Sequence, residues 1–212
     1  MDADRRVLFF GDSFVAGVGD PTGRGWVGRV VAASFDAGLP LVAYNLGIRR
    51  ETSIEVATRW LGEARPRMRA PASYGVVFGF GVNDTTAEDG RLRVEPGGAA
   101  DALDRVLDGA GQLALPALVV GPPPAGEPVQ NARVRELSAA LQRVAAGCGV
   151  PFVDAFGDLC ANAAWTAEAA AGDGAHPGAG GYAALARLVL AAGWLPWLGV
   201  LRPILPLENQ QT

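Results

Sequence analysis

The chain contains no lysine: all 18 of its basic residues are arginine. A phosphate loop of the Walker type needs a lysine against the phosphates and is therefore excluded. The arginines form no block, and 22 acidic residues bring the formal net charge to −4. That leaves no basic footprint for nucleic acid or for an anionic membrane surface. Histidine is nearly absent, with His176 standing alone, and the only cysteines are Cys148 and Cys160. Such a set does not assemble a zinc site of the usual Cys/His type, nor a disulfide framework for a chain of this length. No structural metal is expected, and the two cysteines are expected to be buried free thiols. No apolar run is long enough to span a bilayer, because the most apolar stretch, Trp194 to Pro206, is broken by Pro196 and Pro203. The opening Met1-Asp-Ala-Asp-Arg-Arg6 is acidic and does not resemble a secretory leader, so a cytoplasmic location is expected.

What is present is apolar. At 212 residues and 50% hydrophobic content the chain suits one domain with a substantial core, over residues 1–193. The apolar, proline-rich tail 194–212 is expected to pack back onto it. Short runs rich in Val, Phe and Leu recur at Arg6 to Phe10, Leu41 to Leu46, Tyr74 to Phe80, Pro116 to Val120 and Pro151 to Val153. Most are apolar on both faces, as strands covered on both sides must be. Between them, helical spacing runs over about Trp26 to Ala37, Ser53 to Glu63, Gly98 to Leu113, Val129 to Gly147 and Gly180 to Ala192. Alternation of strand and helix predicts an α/β fold: a three-layer α/β/α sandwich around about five parallel strands.

Ligands of open parallel sheets bind beyond the carboxyl ends of the strands. There the sequence places Gly11-Asp12-Ser13, Asn45-Leu46-Gly47, Gly81-Val82-Asn83-Asp84 and the prolines from Pro122, with Asp173-Gly-Ala-His176-Pro177 before the last helix. A serine hydroxyl becomes a nucleophile when an imidazole takes its proton and a carboxylate holds that imidazole in the right tautomer. His176 is the one imidazole available, and the Asp-x-x-His spacing lets Asp173 reach its Nδ1. Acyl transfer also needs donors aimed at a developing oxyanion. The amides of Ser13 and Gly47 and the Asn83 side chain can supply them. Asp12 and Asp84 read as turn-shaping residues that bond loop amides. Asp154 lacks the local spacing to compete with Asp173. Gly17-x-Gly19 does not make a dinucleotide loop, because Pro21 interrupts the helix start that would hold a pyrophosphate; a flexible loop is expected there.

Taken together and in this order, Gly11-Asp12-Ser13-Phe14, Gly47, Gly81-x-Asn83-Asp84 and Asp173-x-x-His176-Pro177 resemble the four sequence blocks of the SGNH (GDSL-type) hydrolase superfamily. The resemblance covers most of the chain. It implies a flavodoxin-like sheet, with Ser13 as nucleophile, His176 as base and then acid, Asp173 orienting it, and an oxyanion hole of Ser13, Gly47 and Asn83. It implies ester or thioester cleavage through an acyl-enzyme, without metal or organic cofactor. Many relatives carry a small residue three positions after the second-block glycine, where this chain has Arg50. Arg49 and Arg50 are thus candidates for substrate contact at the mouth, with Pro122 from the loop opposite.

The expected partner is a small-molecule ester, short to medium in its acyl group or a lysophospholipid, met by a monomer or a homo-oligomer. Sugar O-deacetylation or acyl transfer is the neighbouring alternative. A non-catalytic binding module of the same fold would be expected to show a broken triad, and here nothing is broken.

Overall fold

The run Arg5–Gly11 forms strand β1, and its side chains divide between two cores. Val7 and Phe9 face one helical layer, Leu8 and Phe10 the other, and none of the four has any exposed surface. A strand buried on both faces has no polar side, which is why the run reads as continuous rather than alternating. The computed structural model describes residues 4–69 and 71–201.

After β1 come helices α1 (Ser13–Ala16) and α2 (Gly25–Asp36), then strand β2 (Val42–Gly47), helix α3 (Ser53–Ala64) and strand β3 (Ser73–Gly79). A small antiparallel hairpin, β4 (Ala87–Glu88) and β5 (Arg91–Leu92), stands outside the main sheet. Helix α4 (Pro96–Gln112), strand β6 (Ala117–Val120), helix α5 (Pro128–Gly147) and strand β7 (Phe152–Val153) follow. Four helices end the described chain: α6 (Ala155–Cys160), α7 (Ala163–Ala171), α8 (Ala179–Ala191) and α9 (Trp194–Gly199). The main sheet runs β2-β1-β3-β6-β7 with every pair parallel.

Side chains of α3, α4 and α5 pack on the Leu8 and Phe10 face, and those of α2, α7, α8 and α9 on the Val7 and Phe9 face. The predicted three-layer α/β/α sandwich with five parallel strands is the architecture found. Strand order reverses at β1, since the chain steps to β2 on one side and then to β3, β6 and β7 on the other. The crevice at the carboxyl ends of β1 and β3 is thus the topological switch point, the place where such sheets bind ligands.

The sequence reading did not assign α6, α7 or α9. The first part of the tail is core: Trp194, Trp197, Leu198 and Leu201 are buried in the cluster that holds Phe9. Trp194 Nε1 donates to Ser34 Oγ at 2.8 Å, and Trp197 Nε1 donates to the Ala117 carbonyl at 3.1 Å. The rest of the tail, 202–212, lies outside the described residues. Both cysteines are free, yet the expectation that they are buried is wrong. Each stands at the carboxyl end of a helix, where Cys148 is exposed and Cys160 half-buried.

Candidate active site

Strand β1 ends at Gly11, and Asp12 turns the chain into the single turn of α1. The Asp12 backbone is extended, and its Oδ1 accepts from the Phe14 amide at 2.9 Å, capping that turn. Ser13 is therefore the first helical residue, with an amide that has no acceptor among the described residues. It is 2% exposed and still lines a pocket of about 160 Å³ at the switch point, together with Arg49, Arg50, Asn83, Gln130 and His176.

His176 reaches Ser13 from the loop before α8. Its Nε2 lies 2.7 Å from Ser13 Oγ, and its Nδ1 lies 2.7 Å from Asp173 Oδ2. Asp173 is fixed in turn: its Oδ1 accepts the amides of Ala175 at 3.1 Å and His176 at 2.9 Å. Partial burial works against the Asp173 charge, but the His176 amide, the His176 ring and the Ala175 amide outweigh it and hold the carboxyl down at about 2. The carboxylate is charged throughout the neutral range. The Phe14 ring packs beside the imidazole at 4.8 Å between centroids, which limits its rotation.

Asn83 enters from the end of β3. Its Nδ2 donates to the Glu51 carbonyl at 2.9 Å and lies 3.5 Å from Asp12 Oδ2. Asp84 beside it accepts the Ser53 amide at 3.0 Å and the Ser53 hydroxyl, tying the β3 loop to the start of α3. Burial lifts the Asp84 carboxyl above its usual range despite the two Ser53 donors. For Asp12 burial is decisive: with the negative charges of Asp84 and Glu51 adding to it, the carboxyl is pushed up to about 7 against the Phe14 amide.

Three of the sequence-based assignments change. Gly47 does not line the pocket, and its N–H donates to Asn45 Oδ1 at 3.1 Å. Its role is steric: a Cβ there would sit 2.3 Å from the Ala16 nitrogen and 2.7 Å from the Asp12 carbonyl oxygen, so glycine lets the end of β2 pass against α1. The residues of this loop that do line the pocket are Arg49 and Arg50. Arg50 occupies the third position of a type II turn, closed by Glu51 N–H to the Ile48 carbonyl at 3.3 Å, with φ at +70°. The Arg50 N–H has no acceptor among the described residues. Its carbonyl receives Arg93 Nη1 at 2.8 Å, and its guanidinium turns away to Glu88 at 3.2 Å. Pro122, third, is buried against Gly81 and does not line the pocket.

The remaining candidates fall into place. Arg49 stands at the lip with Nη2 3.6 Å from Asp173 Oδ2. Asp154 caps α6 through the Phe156 amide at 3.1 Å and takes no part in the site. The expected flexible loop after Gly19 is pinned by Asp20, which accepts the Thr22 and Gly25 amides at 2.9 Å each and pairs with Arg29. Sequence reasoning missed the Glu51 carbonyl, a backbone group that no residue type announces. It also missed Gln130, whose Nε2 donates to the Val82 carbonyl at 3.1 Å beneath Asn83.

Beside the pocket, and sharing Ala125, Gln130 and Ala175 with it, runs a groove of about 650 Å³ between the 124–128 segment and α7. Pro124, Trp165 and Ala169 make its wall apolar. That wall is braced: Asn131 bonds both the amide and the carbonyl of Ala125, at 2.8 and 2.6 Å, and Trp165 Nε1 donates to the Pro124 carbonyl at 3.1 Å. Hydroxyl, imidazole and carboxylate in series beside unspent amide donors are what proton removal from an alcohol and charge stabilisation on a carbonyl oxygen require.

The fold recurs in known structures. A lipase/acylhydrolase from Enterococcus faecalis superposes with a TM-score of 0.75 at 23% identity, over 95% of this chain and 100% of its own. An acetylxylan esterase from Geobacillus stearothermophilus gives 0.71 at 19% identity, over 93% and 98%. An alpha/beta hydrolase enzyme from the metagenome of Lake Arreo, Spain, gives 0.71 at 22%, over 92% and 97%. No curated protein matches the sequence. Among the described residues, no helix is long and apolar enough to cross a membrane. Residues 9–184 match the model of the GDSL-like lipase/acylhydrolase family, and the chain belongs to that family of carboxylic ester hydrolases.

Proposed function

We propose that the protein is a serine esterase acting through an acyl-enzyme on short- to medium-chain acyl esters. The observation that carries this reading is the pair of 2.7 Å contacts linking Ser13 Oγ to His176 Nε2 and His176 Nδ1 to Asp173 Oδ2. Ser13 Oγ attacks the ester carbonyl while His176 Nε2 takes its proton, and the charged Asp173 stabilises the imidazolium. The oxyanion is held by the Ser13 amide, by Asn83 Nδ2 and by the Arg50 amide, which replaces Gly47 as the donor from this loop. His176 then protonates the leaving alcohol and draws a proton from water for deacylation.

The acyl preference rests on space and lining. The pocket at Ser13 accommodates an acetyl or butyryl group, and longer chains extend along the braced apolar groove over Ala125 and Ala169. A sugar acetate is less well matched, because the lining rings Phe14 and Trp165 are buried and offer no face for stacking. The test is hydrolysis of a p-nitrophenyl ester series from acetate to laurate, beside Ser13→Ala. An optimum between acetate and octanoate that vanishes in the variant supports the reading. Equal hydrolysis by the variant overturns it, and activity confined to acetylated sugars overturns the acyl preference.

A further inference from the structure

We infer that Arg59 is a positioning residue for the oxyanion-binding loop, because one half-buried guanidinium ties together the strand ends and the loop that carry the donors. The inference rests on the reading of Ser13 as nucleophile and of the Arg50 amide as an oxyanion donor.

Arg59 lies on α3 with its side chain 16% exposed and its guanidinium 5.6 Å above the Phe10 ring. Its Nε lies 2.8 Å from each carboxylate oxygen of Glu51, and Nη2 reaches Glu51 Oε2 at 2.5 Å. The same Nη2 donates to the Leu46 carbonyl at 2.7 Å and the Gly11 carbonyl at 3.4 Å, while Nη1 bonds Glu63 Oε1 at 2.9 Å. Apart from Glu63, each partner belongs to a different part of the site. Gly11 precedes Asp12 and Ser13 at the end of β1, Leu46 is the residue before the end of β2, and Glu51 follows Arg50 and presents the carbonyl that orients Asn83.

A helix-stabilising ion pair would be complete with Glu63, four residues along on the same helix. The contacts to two strand-end carbonyls and to Glu51 add nothing to that pair, and they fix the loop. The loop needs fixing, since Arg50 holds a left-handed conformation that side chains rarely adopt. A planar fork is also what this geometry requires: a lysine ammonium is a single point of charge and cannot span the carboxylate and both carbonyls.

Removing Arg59 alone would leave Glu51, 13% exposed, as a nearly buried unpaired charge, so the test uses the neutral pair Arg59→Met with Glu51→Gln. The readouts are kcat and KM on p-nitrophenyl butyrate, inhibition by butylboronic acid, which adds to a serine as a tetrahedral anion, circular dichroism and Tm. A misplaced oxyanion loop lowers kcat by about 10- to 100-fold, leaves KM within about threefold and weakens the boronic acid by a factor similar to that on kcat. Arg59→Lys recovers part of the loss. Two results overturn the inference: kcat and boronic-acid affinity unchanged while Tm falls, which makes Arg59 merely structural, or full activity in Arg59→Lys, which makes its charge rather than its fork the operative property. Persistent hydrolysis by Ser13→Ala would instead overturn the reading of Ser13, whatever the Arg59 variants do.

Discussion

Ser13 Oγ and His176 Nε2 stand 2.7 Å apart although 163 positions separate them in the chain. The contact exists because β1 and the loop before α8 open onto the same crevice, where the strand order reverses. The hydroxyl sits at the first position of a helical turn and the imidazole is pinned by a carboxylate three residues before it. Neither group has to be recruited by substrate.

Asp173 is charged and accepts from both the ring and the backbone of its own loop. Asp173→Asn keeps an oxygen for the two loop amides but removes the charge that favours the imidazolium. It is expected to lower kcat on p-nitrophenyl butyrate by about 10²- to 10⁴-fold with an unchanged circular dichroism spectrum. Activity within threefold of the parent would show that the carboxylate has no such role.

Asp12 and Asp173 give stability opposite dependences on pH. The Asp12 carboxyl sits at about 7 in the folded protein, against roughly 4 for an unperturbed carboxyl. Between those values the folded state holds a proton that the unfolded chain has lost, so Asp12 favours folding most below pH 4 and progressively less as pH rises to 7. Asp173, held at about 2, stabilises above pH 4 and loses that contribution as pH falls towards 2. Asp12→Asn does not titrate, so its Tm relative to the parent should rise steadily from pH 4 to pH 7. A difference that stays flat across this range contradicts the burial argument.

Gly47 is a point of close approach, and its N–H is spent on Asn45 Oδ1. Gly47→Ala forces a Cβ towards the Ala16 nitrogen and the Asp12 carbonyl, both backbone atoms that cannot swing aside. A loss of about 1–3 kcal/mol in urea unfolding is expected. An alanine variant as stable as the parent would place the end of β2 further from α1.

Arg50 carries the opposite signature, an arginine where the backbone favours glycine. At φ +70° a Cβ costs on the order of 1 kcal/mol. Arg50→Gly should therefore be more stable than Arg50→Ala by about that amount in urea unfolding. Both variants keep the amide, so their loss of kcat should be far smaller than that of Ser13→Ala. Equal stability of the two variants would contradict the turn geometry.

The sequence carried the fold through its buried strands: Val7 to Phe10 and Tyr74 to Phe80 are apolar on both faces because both faces are covered. Helices α7 and α9 left weaker marks. In α7 only Trp165 and Ala169 are buried among many alanines, and α9 carries Pro196 in its first turn, where proline is tolerated but reads as a break. For the candidate site, the convergence of Ser13, Asn83, Asp173 and His176 was legible because side-chain chemistry in a given spacing leaves a pattern. The Arg50 amide and the Glu51 carbonyl were not, since a backbone group looks alike on every residue. Gly47 drew attention as an unobstructed amide, whereas the sterics that require glycine there come from α1, far away in the sequence.

The most direct test of the central claim is the intact mass of the protein, followed by peptide mapping, after reaction with a fluorophosphonate, which forms a stable adduct only with an activated serine. One phosphonyl group per chain is expected, on Ser13, with ester hydrolysis lost in proportion to labelling and no label on Ser13→Ala. A label on another residue, or full hydrolysis by protein that takes up none, would contradict that claim.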